Sequence, residues 1–268
     1  MKLSIVETHA HLDMDAFDKD RAEVIRRAID AGVGQLITIG IDMASSRQAI
    51  KLAEEYPQIY ATVGFHPHEA GSLKAADMAE LEKIASHPRV KAIGEIGLDF
   101  YRNRAPPEAQ RQALEWQLGL AVKLDLPIVI HCRQAEKDML ALLHDWTSRH
   151  KETPGQPRGV IHCFNGEAEA ARQYLDMGFF ISLGAYIGYP SSRSLRDVIR
   201  SVPDDRLVVE TDCPFLPPQS HRGQRNEPAY LPMTIAALAE IRQVPAEIIA
   251  RQTTENAHQL FRIAPAGE

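Results

Sequence analysis

Short apolar runs alternate along this chain with longer stretches whose apolar residues recur at helical spacing. Eight runs stand out: SIVETH (4–9), QLITIGI (35–41), YATVGFH (60–66), VKAIGEIGL (90–98), LPIVIH (126–131), RGVIHCF (158–164), FFISLG (179–184) and RLVVET (206–211). Their starts lie about 29 residues apart on average, the length of one strand–helix unit. The runs are largely continuous rather than alternating, as strands buried on both faces of a parallel sheet should be. Between them, DKDRAEVIRRAIDAG (18–32) is amphipathic and ends at Gly32. PPEAQRQALEWQLGLAVKL (106–124) opens on prolines and sets Leu114, Leu118 and Ala121 on one side, and EAEAARQYLDMG (167–178) again ends in glycine. Proline entering a helix and glycine leaving it are end signals with a backbone cause. Eight such alternations predict an α/β fold, a TIM-like (β/α)8 barrel, with a doubly wound open sheet as the alternative. VPAEIIARQTTENAHQLF (244–261) predicts an additional C-terminal helix or helix pair. TPGQPRG (153–159) and PPQSHRGQRNEP (217–228) read as loops, and nothing in residues 1–268 looks like a linker, so the chain reads as one barrel domain.

The ionisable residues that close these runs change the picture from fold to chemistry. Run one ends in His9 and His11, two residues apart and therefore on one face of a strand. Glu95 lies near the end of run four, His131 and His162 close runs five and six, and Asp212 follows run eight. In a (β/α)8 barrel the C-terminal strand ends converge on one mouth, where active sites form. Four imidazoles and two carboxylates gathered there suit divalent cations such as Zn, Mn, Ni or Mg. Six ligands are too many for one catalytic ion and suit two that share a bridging group. Glu95 is the natural bridge, because its carboxylate lies between the two histidine groups in strand order. Cys132, Cys163 and Cys213 each directly follow a candidate ligand, so strand alternation turns all three outward, as small packing residues rather than ligands.

Composition narrows the partners. A net charge of −6 and a pI near 6.0 argue against a protein that holds duplex DNA on a broad basic face. Three cysteines do not suggest a disulfide framework, and no stretch reaches the ~20 apolar residues of a membrane span. MKLSIVETHAHLDMD lacks the apolar core and cleavage site of a secretory leader, so the expected location is the cytoplasm, with a monomer as the expected form.

The motifs THAHLD (8–13), VGFHPHE (63–69), GEIGLDFY (94–101), PIVIHCR (127–133), HCF (162–164), ETDCPFLPP (210–218) and HRGQRNEP (221–228) resemble the TatD family of metal-dependent hydrolases, within the amidohydrolase-type barrels. They span nearly the whole chain. The family's first strand usually reads D-[ST]-H-C-H-[FL]; Glu7 and Ala10 depart from it without touching a candidate ligand. The resemblance implies a TIM-like barrel, two or more divalent metals, and 3′→5′ exodeoxyribonuclease activity preferring single strands. It assigns His9, His11, Glu95 and Asp212 to one metal and Glu95, His131 and His162 to the other, with Glu95 and Asp212 catalytic. A metal-activated water would attack a DNA phosphodiester, and Asp212 would orient that water or take its proton. His66 and His68, in FHPH, could hold a third metal or a phosphate; His66 is grouped with substrate binding.

Phosphate needs donors beyond metals. Arg133 lies two residues after His131, and Arg222 and Arg225, with His221 and Asn226, lie in the loop after run eight, a common phosphate-binding region of such barrels. Tyr101, Arg102 and Arg104 follow run four and could stack on a base or clamp a backbone. Asp99 could fix a ligand or cap a turn. The competing functions are hydrolysis of a small phosphoester, amide or lactone on the same metals, and a barrel that binds nucleic acid without cutting it. A barrel alone does not choose among them; the arginines and HRGQRNEP favour a phosphate-bearing substrate.

Overall fold

The computed structural model describes residues 4–150 and 157–265. Eight parallel strands, β1 (Ile5–Ala10), β2 (Val33–Ile39), β3 (Ile59–Val63), β4 (Val90–Asp99), β5 (Ile128–Arg133), β6 (Gly159–Ile161), β7 (Phe179–Leu183) and β8 (Leu207–Val209), pair in sequence order. The interleaved helices are α1 (Arg21–Asp30), α2 (Met43–Glu55), α3 (Asp77–Ala85), α4 (Pro107–Leu124), α5 (Glu136–Arg149), α6 (Ala168–Asp176) and α7 (Leu195–Ser201). Two more, α8 (Leu231–Arg242) and α9 (Ala246–Phe261), follow β8. The chain is a TIM-like (β/α)8 barrel with added C-terminal helices. The barrel closes through one parallel bridge between Ala10 and Cys213, with Asp212 N donating to His9 O (2.9 Å) and His11 N to Cys213 O (2.9 Å). The closing seam therefore runs through candidate ligands.

Strand alternation sorts the apolar residues into two cores. Ile5, Leu36, Ile93, Ile130 and Ile161 face the helix layer, whereas Val6, Ile37, Ala92, Val129, Val160, Phe180 and Val208 fill the interior. Ala257, Leu260 and Phe261 of α9 and the following Ile263 join that interior cluster, so the C-terminal helix plugs one end of the barrel and leaves the other to the polar residues. No helix among the described residues is long and apolar enough to cross a membrane. The TPGQPRG loop lies mostly outside the described residues, at 153–156; PPQSHRGQRNEP is a loop with short 3-10 turns at Gln219–His221 and Pro228–Tyr230.

Local sequence explains how the mouth is held open and ordered. Helix α2 starts on a capping box between Asp42 and Ser45, and Pro106 and Pro107 launch α4. Gly97 has φ +150° and lies against the β5 backbone, where a Cβ would overlap the His131 carbonyl oxygen. Only glycine lets β4 approach β5 so closely beside two candidate ligands. Three fully buried amides then clamp the loops of the mouth. Gln117 of α4 accepts from Phe65 N (2.7 Å) and donates to Phe65 O (3.1 Å), fixing the residue before His66. Gln110 accepts from Asp99 N (2.8 Å) and donates to Ala105 O (2.8 Å). Asn226 donates to Thr211 O (2.8 Å) and Phe215 O (2.7 Å) on either side of Asp212. Asn226 is thus a buried clamp and not one of the phosphate donors expected of its loop.

Candidate metal centre

All six candidate ligands meet at the C-terminal mouth, and the geometry turns on Glu95. Its Oε2 lies 3.3 Å from His9 Nε2 and 3.7 Å from His11 Nε2. Its Oε1 lies 2.8 Å from His131 Nδ1, 3.5 Å from His162 Nε2 and 3.5 Å from His66 Nε2. One carboxylate oxygen thus serves each histidine group. Asp212 Oδ1 completes the first, at 3.5 Å from His11 Nε2 and 3.8 Å from His9 Nε2. Four triads have donor atoms close enough to share an ion: His9, His11 and Asp212; His9, Glu95 and His162; His66, Glu95 and His131; and His162, Cys163 and Asp212. His162 also stacks on His9 with ring centroids 3.6 Å apart. His66 therefore belongs beside Glu95 rather than with the outer phosphate contacts.

The donor set fits divalent cations. Imidazole nitrogens of His9 and His11 face one another at 3.3 Å, and their Nδ1 atoms are buried without a hydrogen-bond partner among the described residues. Burying so many unsatisfied donors and carboxylates is costly unless a charge sits among them. Burial alone would push the Glu95 carboxyl up, but the imidazoles of His66, His162 and His9 and the contact with His131 hold it well below the carboxylate range. Burial likewise opposes ionisation of Asp212, yet His11, His162 and His9 hold its pKa below the ordinary value. Both carboxylates are anionic at neutral pH. Burial lowers His66 to about 4, leaving it neutral and able to ligate. Burial would lower His162 too, but Glu210 and Glu95 push it up to about 10, so a cation binding there must displace a proton.

A second tier of residues orients the first. Asp99 Oδ2 contacts His131 Nε2 at 3.1 Å and His68 Nε2 at 2.9 Å, while its Oδ1 accepts from the backbone of Tyr101 (3.0 Å) and Arg102 (2.7 Å). Asp99 thus fixes a ligand and caps a turn at once. His68 is held by Asp99 and stands outside the triads. Glu210 Oε1 lies 3.0 Å from His162 Nδ1, and its Oε2 accepts from Ser182 Oγ at 2.6 Å. Carboxylates behind ligating histidines set ring orientation and basicity. Glu210 went unread in the sequence, although it stands two residues before Asp212. Glu7 lies under the closing seam, its Oε1 accepting from His9 N and Thr211 N, both at 2.9 Å, and burial raises its carboxyl to about 8.

Two further sequence expectations need correction. Cys163 does not simply turn outward. β6 ends at Ile161, and Cys163 takes φ +48°, so strand alternation no longer governs it; its sulfur comes within ligand-cluster range of His162 and Asp212. Cys132 does face the helix layer, 3.8 Å from the Tyr174 hydroxyl on α6, and Cys213 is buried among core residues.

Arg225 is the second correction. Its guanidinium is bidentate to Asp20, at 2.7 Å from each oxygen, and also donates to Ala16 O (2.6 Å) over the Phe17 ring. Arg27 and Glu227 extend this clamp between α1 and the loop after β8. Arg225 is therefore engaged within the chain, tying the loop after β8 to Asp20. Arg225→Ala should show as lost stability rather than a raised KM. A charged bidentate contact at 31% exposure is worth about 1–2 kcal/mol, a melting-temperature drop of roughly 2–8 °C. The Arg225 hydrogen bond, with Arg27, holds the Asp20 carboxyl at about 2 against an ordinary 3.8. This stabilisation is present above pH ~4 and is lost as pH falls toward 2. Calorimetry across that window checks both statements.

Arg133 and Arg222 stay at the rim. Arg133 is exposed and stacks on Tyr101 at 4.1 Å, and Arg222 is exposed over Tyr189 at 4.7 Å. Neither makes a side-chain hydrogen bond recorded among the described residues.

An eight-stranded barrel whose mouth gathers imidazoles around a shared carboxylate defines a metal-dependent hydrolase. The chain belongs to the TatD related DNase family, whose model matches residues 6–262. It is 39% identical over 259 residues, 97% of this chain and 99% of the relative, to an uncharacterized metal-dependent hydrolase, YabD, of Bacillus subtilis. It is 36% identical over 258 residues, 94% of this chain and 96% of the relative, to the 3′-5′ ssDNA/RNA exonuclease TatD of Citrobacter rodentium. The crystal structure of YJJV, a TatD homologue from Escherichia coli K12, superposes with a TM-score of 0.91 at 32% identity, covering 98% of this chain and all of that one.

Proposed function

We propose that this enzyme is a 3′→5′ exonuclease that removes nucleotides from single-stranded DNA using two divalent cations, Mg or Mn in the working form. The observation that carries the proposal is the division of the Glu95 carboxylate between two histidine groups, which is what two adjoining cations require of a bridge. His9, His11, Glu95 and Asp212 would hold one cation. Glu95, His131 and His162 would hold the other, with His66 3.5 Å from the same Glu95 oxygen. Bound there, such cations supply Lewis acidity that lowers the pKa of water and offsets phosphate charge.

The chain's own groups supply the rest. The Asp212 side chain is 14% exposed against 3% for Glu95, so Asp212 reaches the open side of the cluster. The neighbouring imidazoles keep it anionic, and it would be the group on that side to take a proton from attacking water. Glu95, buried and anionic, keeps one oxygen toward His9 and His11 and the other toward His131. Asp99 and Glu210 keep His131 and His162 aimed at the centre. Arg133 and Arg222 offer guanidinium donors to phosphate oxygens at the rim.

The relatives named as ssDNA/RNA exonucleases support a nucleic-acid substrate, and RNA is the natural second arm of the test. A 5′-labelled single strand incubated with the protein and Mn2+ should shorten stepwise from its 3′ end, and chelator should stop it. No shortening of DNA or RNA by metal-loaded protein, with hydrolysis of a lactone or small phosphoester instead, would overturn the proposal.

A further inference from the structure

Two aromatic rings stand exposed at the rim of the cluster. Tyr101 is 51% exposed and Phe215 48%, and they are the only aromatics among the large exposed hydrophobic side chains of the described residues. Each is tied to the metal centre. Tyr101 N donates to Asp99 Oδ1 (3.0 Å), while the other oxygen of Asp99 contacts His131. The Phe215 ring meets His11 edge-on with centroids 6.0 Å apart, and Phe215 N donates to Asp212 O at 2.9 Å. The two rings belong to opposite sides of the barrel: Phe215 to the β8–β1 seam and Tyr101 to the β4–β5 side. Arg133 lies over Tyr101 at 4.1 Å, a cation on an aromatic face, with the in-plane N–H groups of the guanidinium left for phosphate.

We infer that Phe215 and the Tyr101–Arg133 pair are stacking platforms for the two bases flanking the scissile phosphate, and that they select an unpaired strand end. The inference rests on the nuclease reading above and adds the reason for single-strand choice. A ring accepts any base by its π-face, without reading sequence. In a duplex, neighbouring bases are stacked on each other and paired across the helix. Platforms on opposite sides of the cluster ask them to part, so that one base turns to each ring and the phosphate between them enters the centre. A melted end can do this and a paired end resists it.

The test compares kcat/KM for 5′-labelled single strands that are intact or that carry an abasic nucleotide at the 3′-terminal or penultimate position. Phe215→Ala and Tyr101→Ala should each lower kcat/KM on the intact strand about tenfold, chiefly through KM. On the strand lacking the base that stacks on that ring, the same substitution should cost less than about twofold, since the contact is already gone. Phe215→Tyr and Tyr101→Phe, which keep the rings, should restore most of the loss, and metal content measured on each variant should match the parent. Equal losses on intact and abasic strands, or no loss on the intact strand, would overturn the stacking inference while leaving the nuclease reading in place. A parent enzyme that cuts no strand would overturn both.

Discussion

Glu95→Ala is expected to lower strand cleavage by about a thousandfold or more and to empty both cation positions together. The magnitude follows from what the bridge holds. A catalytic cation contributes several kcal/mol of transition-state stabilisation, and each 1.36 kcal/mol is a factor of ten. A residue that serves only one position would leave the other filled. Glu95 serves two, through Oε2 toward His9 and His11 and through Oε1 toward His131, His162 and His66. The variant also removes the anion that faces these imidazoles from the middle of the cluster. Metal content and turnover should therefore fall in parallel. Loss of turnover with full metal content would reassign Glu95 from bridge to proton carrier.

Asp212→Asn should separate binding from chemistry. Asparagine keeps the side-chain shape and one acceptor oxygen facing His11 and His9 but cannot take a proton. A positioned general base contributes roughly 10²–10⁴-fold, so kcat should drop by that factor with little change in KM. Since a cation must displace a proton from His162, the comparison belongs at one pH at which parent and variant hold equal metal. An Asn variant with parental kcat would remove Asp212 from the proton path and leave it a ligand alone.

How much of this was legible before the fold was known depends on the kind of contact. His9, His11, Glu95, His131, His162 and Asp212 were legible because barrel topology brings strand ends together wherever their sequence lies. The resemblance then divided them between two positions; the donor groups put His162 beside His9 as well as beside Glu95. The rest depends on facts that no run of apolar residues carries. Arg225 finds Asp20 across 205 residues of sequence, and nothing near Arg225 announces it. Cys163 leaves the alternation because its backbone turns left-handed one residue past a ligand. Glu210 reads as an ordinary acid until a histidine nitrogen is found against it, whereas both expectations for Asp99, fixing a ligand and capping a turn, meet in one side chain. Gln110, Gln117 and Asn226 look like surface amides, yet all three are buried and hold the loops that carry the site. His66, in FHPH, left a metal and a phosphate both open, and what the sequence does not carry is the Gln117 contact that pins its loop against Glu95.

The central claim is that one shared carboxylate assembles two cation positions that cut a nucleic-acid strand. Its most direct test titrates chelator-treated protein with Mn2+ while bound metal and release of nucleotides from a single strand are followed together, in the parent and in Glu95→Ala. The account predicts that the parent's activity rises to a plateau at two bound ions per chain and that the variant binds neither ion tightly and stays inactive. Cleavage by metal-free protein, or full activity in Glu95→Ala, would contradict it.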